Sequence, residues 1–427
     1  MADLTIEKYN SVYNKIHCDT SIGYELGEYF TFQVPGARFI PSVRARKWDG
    51  KIRLFNTGTH LIYGGLNHYI EQFAKERNYE VGYLTDFDAD EFSLEEARQF
   101  ISKLDLTLEP RDYQLEAFVH AVRNKRALLL SPTASGKSFI IFLFICYALT
   151  HTKGKALVVV PTVSLVHQMV SDFASYTNNE YLKNMAHKIM YGYDTDTDKR
   201  VIVSTWQSIY KMPKKWFQQF SCVVGDEAHL FKANSLTGIV NKMIDCDYRV
   251  GFTGTLDGTH TNKLVLEGLF GRVRKVTTTA ELIEQKHLAS FDIKCIVLKY
   301  PDEDRELLKK ASYQDELDWI VRHPGRNRFI KNLALSLEGN TLILFQFVEK
   351  HGKELYNIFQ DTGRDVVFVH GAVDGDEREE IRLETENADD LTWKTKQNHT
   401  LLHFAERIKI YGEEQFEYKI YTVKLKG

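Results

Sequence analysis

The sequence predicts an α/β protein built on a parallel β-sheet, and three observations lead to that class. Short apolar, β-branched runs alternate with helical patterns between residues 108 and 276. A glycine-lysine-serine loop (131–138) follows one of these runs, and an acidic pair (226–227) follows another. Because crossover helices return the chain to the same edge of a sheet, this alternation is typical of parallel strands covered by helices.

The individual elements follow from the same patterns. Phe139 to Leu149 is an unbroken apolar stretch that is too short to span a bilayer, so we expect a buried helix. Helical patterns between the apolar runs supply the crossovers. The expected strands are 127–131, 156–160, 201–204, 222–226 and 248–252, and the expected helices are 114–124, 137–150 and 162–176. Beyond them, the clearest expected strands are 341–345 and 366–369, the segments 376–386 and 391–411 are expected to be helical, and 418–425 is a further strand run.

Length and composition indicate a globular chain of two or three domains. Its 427 residues exceed the size at which single cores stop growing, and the hydrophobic (43%) and charged (26%) fractions are ordinary. A net charge of −3 leaves any binding of nucleic acid to local patches. The predicted regions are a small α+β module (1–85), an acidic linker with a helix opened by Ser93-x-x-Glu96 (86–107), an α/β lobe (108–276), a second α/β lobe (277–390) and a tail (391–427).

Targeting and redox signals are absent from the sequence. It has no signal-peptide pattern and no apolar run long enough for a membrane span. The cysteines are odd in number and lack Cys-x-x-Cys spacing: Cys18, Cys146, Cys222, Cys246 and Cys295. These features favour a reducing, cytoplasmic compartment and argue against disulfides or a zinc site.

The sequence Ser-Pro-Thr-Ala-Ser-Gly-Lys-Ser at 131–138 has the features of a phosphate-binding loop. In such a loop, backbone N–H groups surround the phosphates, a lysine reaches the outer ones, and a hydroxyl binds Mg²⁺. A helix N-terminus after a strand also favours an anion. The usual first glycine is serine here. The predicted nucleotide-binding residues are Ser131, Pro132, Thr133, Ala134, Ser135, Gly136, Lys137 and Ser138.

An acidic motif, Asp226-Glu227-Ala228-His229, follows the β-branched run Cys222-Val223-Val224. Asp226 is expected to hold Mg²⁺, and Glu227 to polarise an attacking water. Either motif alone also fits an ordinary loop or a solvated acidic pair. Because both motifs end strands, together they predict binding of a nucleoside triphosphate with its metal.

Further motifs occur in a fixed order around these two. They are Pro110-Arg111-x-Tyr113-Gln114, Pro161-Thr162-x-x-Leu165-x-x-Gln168, Ser204-Thr205-Trp206-Gln207-Ser208 and Thr253-Gly254-Thr255. In this order they resemble the first RecA-like lobe of superfamily 2 helicases over residues 108–276. Leu344-Phe345-Gln346-Phe347 and Val369-His370-Gly371 resemble early motifs of the second lobe. With Lys47-Trp48-Asp49-Gly50-Lys51 in the N-terminal module, the chain is similar to the recombination and branch-migration helicases of T-even-type phages.

The resemblance implies an ATP hydrolase that uses Mg²⁺, and it implies a role for each matching residue. Arg111 and Gln114 would contact adenine, Lys137 the β/γ-phosphates, Ser138 and Asp226 the metal, and Glu227 would be the catalytic base. Coupling of the site to the nucleic acid would fall to His229, Thr253 and Thr255. Contacts to the DNA backbone would come from Pro161, Thr162, Ser204, Thr205, Gln346 and His370.

A basic run with a tryptophan lies between Arg38 and Arg53. Cations for phosphates and an aromatic ring for stacking are the usual combination for single-strand or junction contact. The alternative is a solvated face with a core tryptophan. The predicted DNA contacts are Arg44, Arg46, Lys47, Trp48, Lys51 and Arg53, whereas the charge runs 211–216 and 272–275 fit ordinary loops, and 322–328 fits a helix N-terminus.

The family's closing motif, Gln-x-x-Gly-Arg-x-x-Arg, is not complete anywhere in this sequence, and every Gly-Arg pair precedes Val369-His370-Gly371. We expect an internal loss near Leu383 to Asp390. The expected function is an ATP-dependent DNA helicase or translocase on branched recombination or replication intermediates, with weakened turnover, in the host-cell cytoplasm if phage-encoded. Two alternatives remain: a nucleotide-gated DNA binder without turnover, and an RNA helicase.

Overall fold

The computed structural model describes residues 2–34, 36–87, 89–190, 194–232, 234–256, 260–289, 292–309, 311–339, 341–370, 393–395, 411 and 418–425. Contacts divide the chain into two compact units, Met1–Leu282 and Ile283–Gly427. The first unit therefore contains both the N-terminal module and the first α/β lobe. No helix in the described residues is both long and apolar enough to cross a membrane.

The N-terminal module is a five-stranded mixed sheet with helices packed against it. Leu4 and Ile6 alternate with polar residues along the first strand and are fully buried, as the period of a half-buried strand requires. The strand order is β5-β6-β2-β1-β7, and β3 and β4 form a separate antiparallel pair. The elements are β1 (Leu4–Lys8), β2 (Tyr13–Cys18), α1 (Thr20–Tyr29), β3 (Thr31–Gln33), α2 (Pro41–Arg44), β4 (Lys51–Arg53), β5 (Phe55–Asn56), β6 (Leu61–Tyr63), α3 (Asn67–Arg77) and β7 (Val81–Tyr83).

A linking helix, α4 (Leu94–Ile101), begins at the predicted capping box. Ser93 Oγ accepts from the N–H of Glu96, and the Glu96 carboxylate accepts from the N–H of Ser93. Two donors that have no partner within the helix are satisfied in this way. Arg123 Nε then donates to Phe92 O at 2.7 Å, which ties the linker to the lobe.

The first α/β lobe is a seven-stranded sheet in which every neighbouring pair is parallel. The strand order is β10-β11-β9-β12-β13-β8-β14. The parallel α/β class is confirmed. The elements are α5 (Asp112–Asn124), β8 (Arg126–Leu130), α6 (Lys137–His151), β9 (Lys155–Val160), α7 (Val163–Ser175), α8 (Glu180–Lys183), β10 (Ala186–Ile189), β11 (Val201–Thr205), α9 (Trp206–Ile209), α10 (Lys214–Phe217), β12 (Phe220–Gly225), α11 (Asn234–Asn241), β13 (Tyr248–Thr253), α12 (His260–Phe270), β14 (Val273–Lys275) and α13 (Thr279–Glu284).

Helix α6 explains the long apolar run of the sequence. Its residues from Phe139 to Cys146 are all buried. A helix that is covered on every side needs apolar residues on every side, which accounts for the unbroken run. It packs on one face of the sheet against α5 and α7. This burial holds the first turn of α6, and with it the glycine-lysine-serine loop, at the end of β8.

The N-terminal module is joined to the lobe through buried polar groups. On the lobe side, the fully buried Arg249 donates to the carbonyl of Val240 in α11 and to those of Met243 and Cys246 after it. These bonds hold the segment whose Ile244 carbonyl accepts from the N–H of Ser11 in the module at 2.8 Å. Arg126, the first residue of β8, donates to the carbonyl of Ser11, whose hydroxyl donates to Asp247 at 2.6 Å. Burial lowers the pKa of Arg126 to about 9, so this guanidinium remains protonated at neutral pH.

The second unit contains short strand pairs and helices. Strand β15 pairs in parallel with β18, and β16 pairs in parallel with β17. Val348–Gly352 is a π-helical turn that leads into the helix that begins at Lys353. The elements are β15 (Ile293–Lys299), α14 (Asp302–Leu308), α15 (Tyr313–Arg322), α16 (Pro324–Leu335), β16 (Thr341–Ile343), α17 (Lys353–Gln360), β17 (Trp393–Thr395) and β18 (Tyr418–Lys424).

Two predictions for this unit are wrong, one of a strand and one of a helix. Residues 366–369 form no strand, although their apolar run suggested one. Trp393–Thr395 forms a strand within the stretch expected to be a helical tail, because it pairs with Thr341–Ile343 from far along the chain. Gly371, the segment 376–386 and the proposed loss near 383–390 lie outside the described residues, so the loss stays a prediction.

Gly65 tests the junction between module and lobe. A Cβ at this position would overlap the carbonyl oxygen of Glu267 in α12, so Gly65→Ala must separate the two backbones. Overpacking of this kind costs about 1–3 kcal/mol, and we expect the apparent Tm to fall by several degrees in thermal unfolding.

Gly238→Ala is the matched control, because a Cβ there meets nothing within 4 Å and alanine favours helix. We expect its Tm to stay the same or rise. An unchanged Tm in Gly65→Ala would contradict the close approach at the junction.

Candidate nucleotide and nucleic-acid site

The carboxyl ends of the central strands bring the predicted motifs together. The phosphate loop follows β8, Pro161-Thr162 follows β9, Asp226 follows β12, and Gly254 follows β13. In the sheet order β9-β12-β13-β8, one strand separates the phosphate loop from the acidic pair. Parallel strands place all these ends on one edge, which is where α/β sheets bind their ligands.

The phosphate loop is held by its own side chains and by β13. Ser131 is fully buried, its N–H donates to Thr253 O at 2.8 Å, and its hydroxyl lies 2.6 Å from that of Ser135. Ser135 Oγ in turn donates to Pro132 O at 2.7 Å. Serine is therefore accommodated where the usual loop has glycine, because its hydroxyl closes the loop from inside.

Two loop residues adopt left-handed backbone conformations. Gly136 has φ +75° and Ala134 has φ +63°. Thr133 and Ala134 form the exposed part of the loop, whereas Pro132 and Ser135 are buried. A Cβ on Gly136 would collide with the side-chain amide of Gln114, so glycine is required at this position.

Gln114 lies beneath the phosphate loop. Its Nε2 donates to Ser135 O at 2.9 Å, and its Oε1 accepts from the N–H of Arg111 at 2.9 Å. Tyr113 Oη also donates to Ser135 O, and Arg111 Nη1 donates to Tyr113 Oη. The structure thus places Arg111 and Gln114, both predicted to bind the nucleotide, beside the phosphate loop. Their contact with adenine stays a prediction.

Lys137, Asp226 and Glu227 meet across the sheet edge. Lys137 Nζ lies 3.4 Å from Glu227 Oε1, and the Lys137 side chain is only 16% exposed. The N–H of Glu227 donates to Asp226 Oδ1 at 3.0 Å. Burial raises the pKa of the Asp226 carboxyl, and the nearby Lys137 ammonium opposes that shift. A second cation beside Asp226 would favour its ionised form in the same way.

His229 and Thr253 extend this cluster. His229 Nδ1 lies 3.0 Å from Thr253 Oγ1 and 3.3 Å from Glu227 Oε2. The Thr253 hydroxyl donates its one proton to Thr255 O, so it can only accept a hydrogen bond from His229. His229 therefore carries a proton on Nδ1. The three predicted coupling residues, His229, Thr253 and Thr255, are therefore connected to the predicted base by consecutive contacts.

Tyr176 is a site residue that the sequence analysis missed. Its hydroxyl lies 2.6 Å from Ser138 Oγ, and its ring packs against Phe139 and Phe142. Its carbonyl accepts from the N–H of Thr107 at 3.0 Å, which fixes the end of α7. Burial raises the pKa of Tyr176 to about 12, so the hydroxyl stays protonated. A tyrosine 38 residues beyond Ser138 carries no local signal of this contact.

These residues fit a nucleoside triphosphate with Mg²⁺. A hydroxyl (Ser138) and a carboxylate (Asp226) are the hard oxygen ligands that Mg²⁺ takes alongside phosphates and water. The described residues contain no cluster of three or more acidic, histidine or cysteine side chains that would hold a metal by themselves. The phosphate loop leads directly into the first turn of α6, whose backbone N–H groups favour an anion.

The predicted DNA contacts of this lobe divide into exposed and buried residues. Thr162 is exposed and caps α7 by accepting from the N–H of Leu165, and Pro161 beside it is half-buried. Ser204 is fully buried and donates to Ile189 O at 2.7 Å, and Thr205 is 4% exposed with its hydroxyl 3.0 Å from Ser208 Oγ. In this conformation the buried Ser204 side chain offers no surface to DNA, and the predicted contact stays a prediction.

The predicted contacts of the N-terminal module are mostly exposed cations: Arg44, Arg46, Lys47 and Lys51. Arg53 is exposed too, but its guanidinium pairs with the Asp49 carboxylate, which lowers the pKa of Asp49 to about 2. Lys51 and Arg53 line an open cleft of about 670 Å³. Trp48 is half-buried, and its indole N–H donates to Lys51 O at 3.0 Å.

In the second unit, Gln346 is exposed and His370 is half-buried beside the ring of Phe368. Gln360, Gly363 and Arg364 match the first half of the missing closing motif, but Val367 stands at the position of its second arginine. Arg364 donates to the carbonyls of Leu335 and Leu337 at the end of α16. This arginine therefore serves the fold of the unit.

Comparison with known proteins supports the class that the site defines, a nucleotide-binding helicase lobe. The family described as "Type III restriction enzyme, res subunit" matches residues 107–258, and "DNA helicase UvsW, N-terminal" matches residues 3–84. The ATP-dependent DNA helicase uvsW of Enterobacteria phage T4 is 32% identical over 398 residues, which are 90% of this chain and 78% of the relative.

Two solved structures are similar to this chain and support the same family. The UvsW helicase from bacteriophage T4 has 32% identity and a TM-score of 0.58, covering 64% of this chain and 99% of that one. A second T4 UvsW structure has 27% identity and a TM-score of 0.59, covering 99% of this chain and 100% of that one. The chain belongs to the UvsW family of DNA helicases, and the predicted superfamily 2 class is confirmed.

Tyr176→Phe tests the role of the missed tyrosine. The Ser138 hydroxyl can direct its proton to Tyr176 and its lone pair to a metal, so losing this partner should weaken metal-dependent binding. A neutral hydrogen bond contributes about 0.5–1.5 kcal/mol. We expect the Mg²⁺ concentration for half-maximal binding of a fluorescent ATP analogue to rise about threefold to tenfold.

Binding without Mg²⁺ should be unaffected in Tyr176→Phe. Tyr181→Phe, in the next helix and 64% exposed, is the matched control. The same Mg²⁺ dependence in both variants would show that Tyr176 only fills space.

Proposed function

We propose that this chain is an ATP-dependent DNA helicase or translocase that acts on branched recombination or replication intermediates. The observation that carries the proposal is the run of contacts from Lys137 Nζ through Glu227 and His229 to Thr253, with steps of 3.4, 3.3 and 3.0 Å. This run joins the phosphate loop to the loop after β13. Likeness to the T4 ATP-dependent DNA helicase uvsW supports the same function.

The nucleotide chemistry follows from the side chains at the sheet edge. Lys137 and the N–H groups of the first turn of α6 would hold the phosphates, and Ser138 and Asp226 would hold Mg²⁺, which offsets their charge. Glu227 would accept a proton from the water that attacks the γ-phosphorus. The bond from that phosphorus to the β–γ bridging oxygen then breaks, and ADP leaves with the oxygen.

Coupling to DNA would use the shared proton of His229. Because Nδ1–H is directed to both Glu227 and Thr253, a change in the charge or position of Glu227 alters the hydrogen bond to Thr253. The carbonyl of Thr253 accepts from Ser131 and its hydroxyl donates to Thr255, so both loops would respond. At the same edge Thr162 is exposed and Pro161 is half-buried, so these two are the most accessible of the proposed DNA contacts of this lobe.

A second candidate is a nucleotide-gated DNA binder without turnover. The observation that favours it is the incomplete closing motif, whose one matching arginine, Arg364, is engaged by backbone carbonyls. An arginine that reaches the γ-phosphate contributes roughly 10³–10⁵ in rate.

RNA remains a further candidate substrate, because contacts to a phosphate backbone do not distinguish the sugar. We place the action in the host-cell cytoplasm, where the DNA of an infecting phage lies.

Glu227→Gln separates hydrolysis from binding. Without a proton acceptor, DNA-stimulated ATP turnover should fall by about 10²–10⁴, whereas ATP affinity should remain. Lys137→Ala should lose both ATP turnover and ATP affinity, because the phosphates lose the cation that binds them. Steady-state ATP hydrolysis with branched DNA, single-stranded DNA, duplex DNA and RNA of matched sequence provides the measurement.

The outcomes distinguish the candidates. DNA-stimulated turnover that both variants lose supports the motor, with branched DNA the best stimulator. ATP binding that changes DNA affinity without turnover supports the gated binder. Turnover that Glu227→Gln leaves unchanged would contradict the assigned base.

A further inference from the structure

The loop between β3 and β4 is a built feature of the N-terminal module. We call residues 36–50 the basic loop. Its base is closed by the N–H of Val34, which donates to Gly50 O at 2.9 Å, and by Gln33 Nε2, which donates to the same oxygen at 3.1 Å. The antiparallel β3–β4 pair continues this closure. The basic loop is therefore held at both ends by the β3–β4 pair.

The inside of the basic loop is filled by small residues. Ala37 is buried, and a Cβ added to Gly50 would lie 2.7 Å from its Cβ. Gly36 (φ +70°) and Gly50 (φ +75°) supply the left-handed conformations that this close approach needs. Because Ala37 faces inward on a short 3₁₀ turn, Ala37–Phe39, the side chains that follow it face outward.

Phe39 is presented to solvent by this arrangement. Its side chain is 61% exposed, although phenylalanine is among the residues most often buried. The guanidinium carbon of Arg38 lies 4.8 Å from the centroid of the ring. Exposed cations lie on the same loop and on β4: Arg44, Arg46, Lys47 and Lys51.

Trp48, the aromatic residue that the sequence singled out, has a different role. It is half-buried, and its N–H donates to Lys51 O, so its ring helps to hold the base of the loop. An aromatic residue that stacks on a base needs an open ring face. The exposure of Phe39 makes its ring accessible to a base, beside the guanidinium of Arg38.

We propose that Phe39 stacks on an unpaired base of DNA while Arg38 and the other cations of the basic loop hold the flanking phosphates. The inference rests on the proposed function, since it takes DNA as the ligand. Stacked duplex bases offer no free face, so the ring selects a base that is already unpaired, as at a branch point. Stacking is tolerant of sequence because every base has a π-face.

The test compares a forked DNA carrying 2-aminopurine at the branch with a fully paired duplex of equal length. Binding is measured by anisotropy without nucleotide, so that the ATP site does not enter, and stacking by quenching of 2-aminopurine. Phe39→Ala should weaken binding to the fork about tenfold and abolish the quenching, at unchanged duplex affinity. Phe39→Trp should keep both the fork affinity and the quenching. Phe39→Leu should keep neither of them, because leucine is apolar but has no π-face.

Tyr9→Ala is the matched control, because Tyr9 is an exposed aromatic residue of the same module outside the basic loop, and it should keep the preference for the fork. Equal losses on fork and duplex in Phe39→Ala, a full rescue by leucine, or an unchanged fork preference would each overturn the stacking role. A wild-type chain that binds none of the DNAs would instead overturn the proposed function, and with it this inference.

Discussion

The candidate site depends on one constraint: the seven strands of the first lobe run parallel, so their carboxyl ends share one edge. Backbone hydrogen bonds join the loops at that edge, from Ser131 N to Thr253 O at 2.8 Å and from Asp226 N to Val159 O at 2.9 Å. Main-chain hydrogen bonds thus position the phosphate loop and the acidic pair. Lys137, Glu227 and His229 need only short side-chain contacts to complete the cluster.

The opposite edge of the same sheet holds the N-terminal module. Arg126 begins the strand that ends in the phosphate loop, and it bonds to the carbonyl of Ser11 in the module. Tyr69 Oη donates to the buried Glu267 at 2.7 Å, which adds a second polar connection. Losing either contact would leave further polar groups buried without a partner, so these contacts favour one docking arrangement over others. The basic loop is consequently presented from a fixed base.

Much of the lobe was predictable from sequence, and the exceptions have physical causes. The five central strands were located within two residues, because a strand buried on both faces is a continuous apolar run. The edge strand Ala186–Ile189 was missed because its polar residues are half-exposed. Motif chemistry identified the phosphate loop, whereas Tyr176, the burial of Ser204 and the exposure of Phe39 depend on tertiary contacts that no local pattern encodes. In the second unit, pairing between distant segments decided which runs became strands.

The central claim is that this edge binds ATP through a metal held by Ser138 and Asp226. Calorimetric titration of ATP into the full chain, with Mg²⁺ and with a chelator, tests it most directly when wild type is compared with Asp226→Asn. We expect one ATP per wild-type chain and a large gain in affinity from Mg²⁺. Asp226→Asn should lose this gain while it keeps metal-free binding. An equal gain from Mg²⁺ in both proteins, or no saturable binding by wild type, would contradict it.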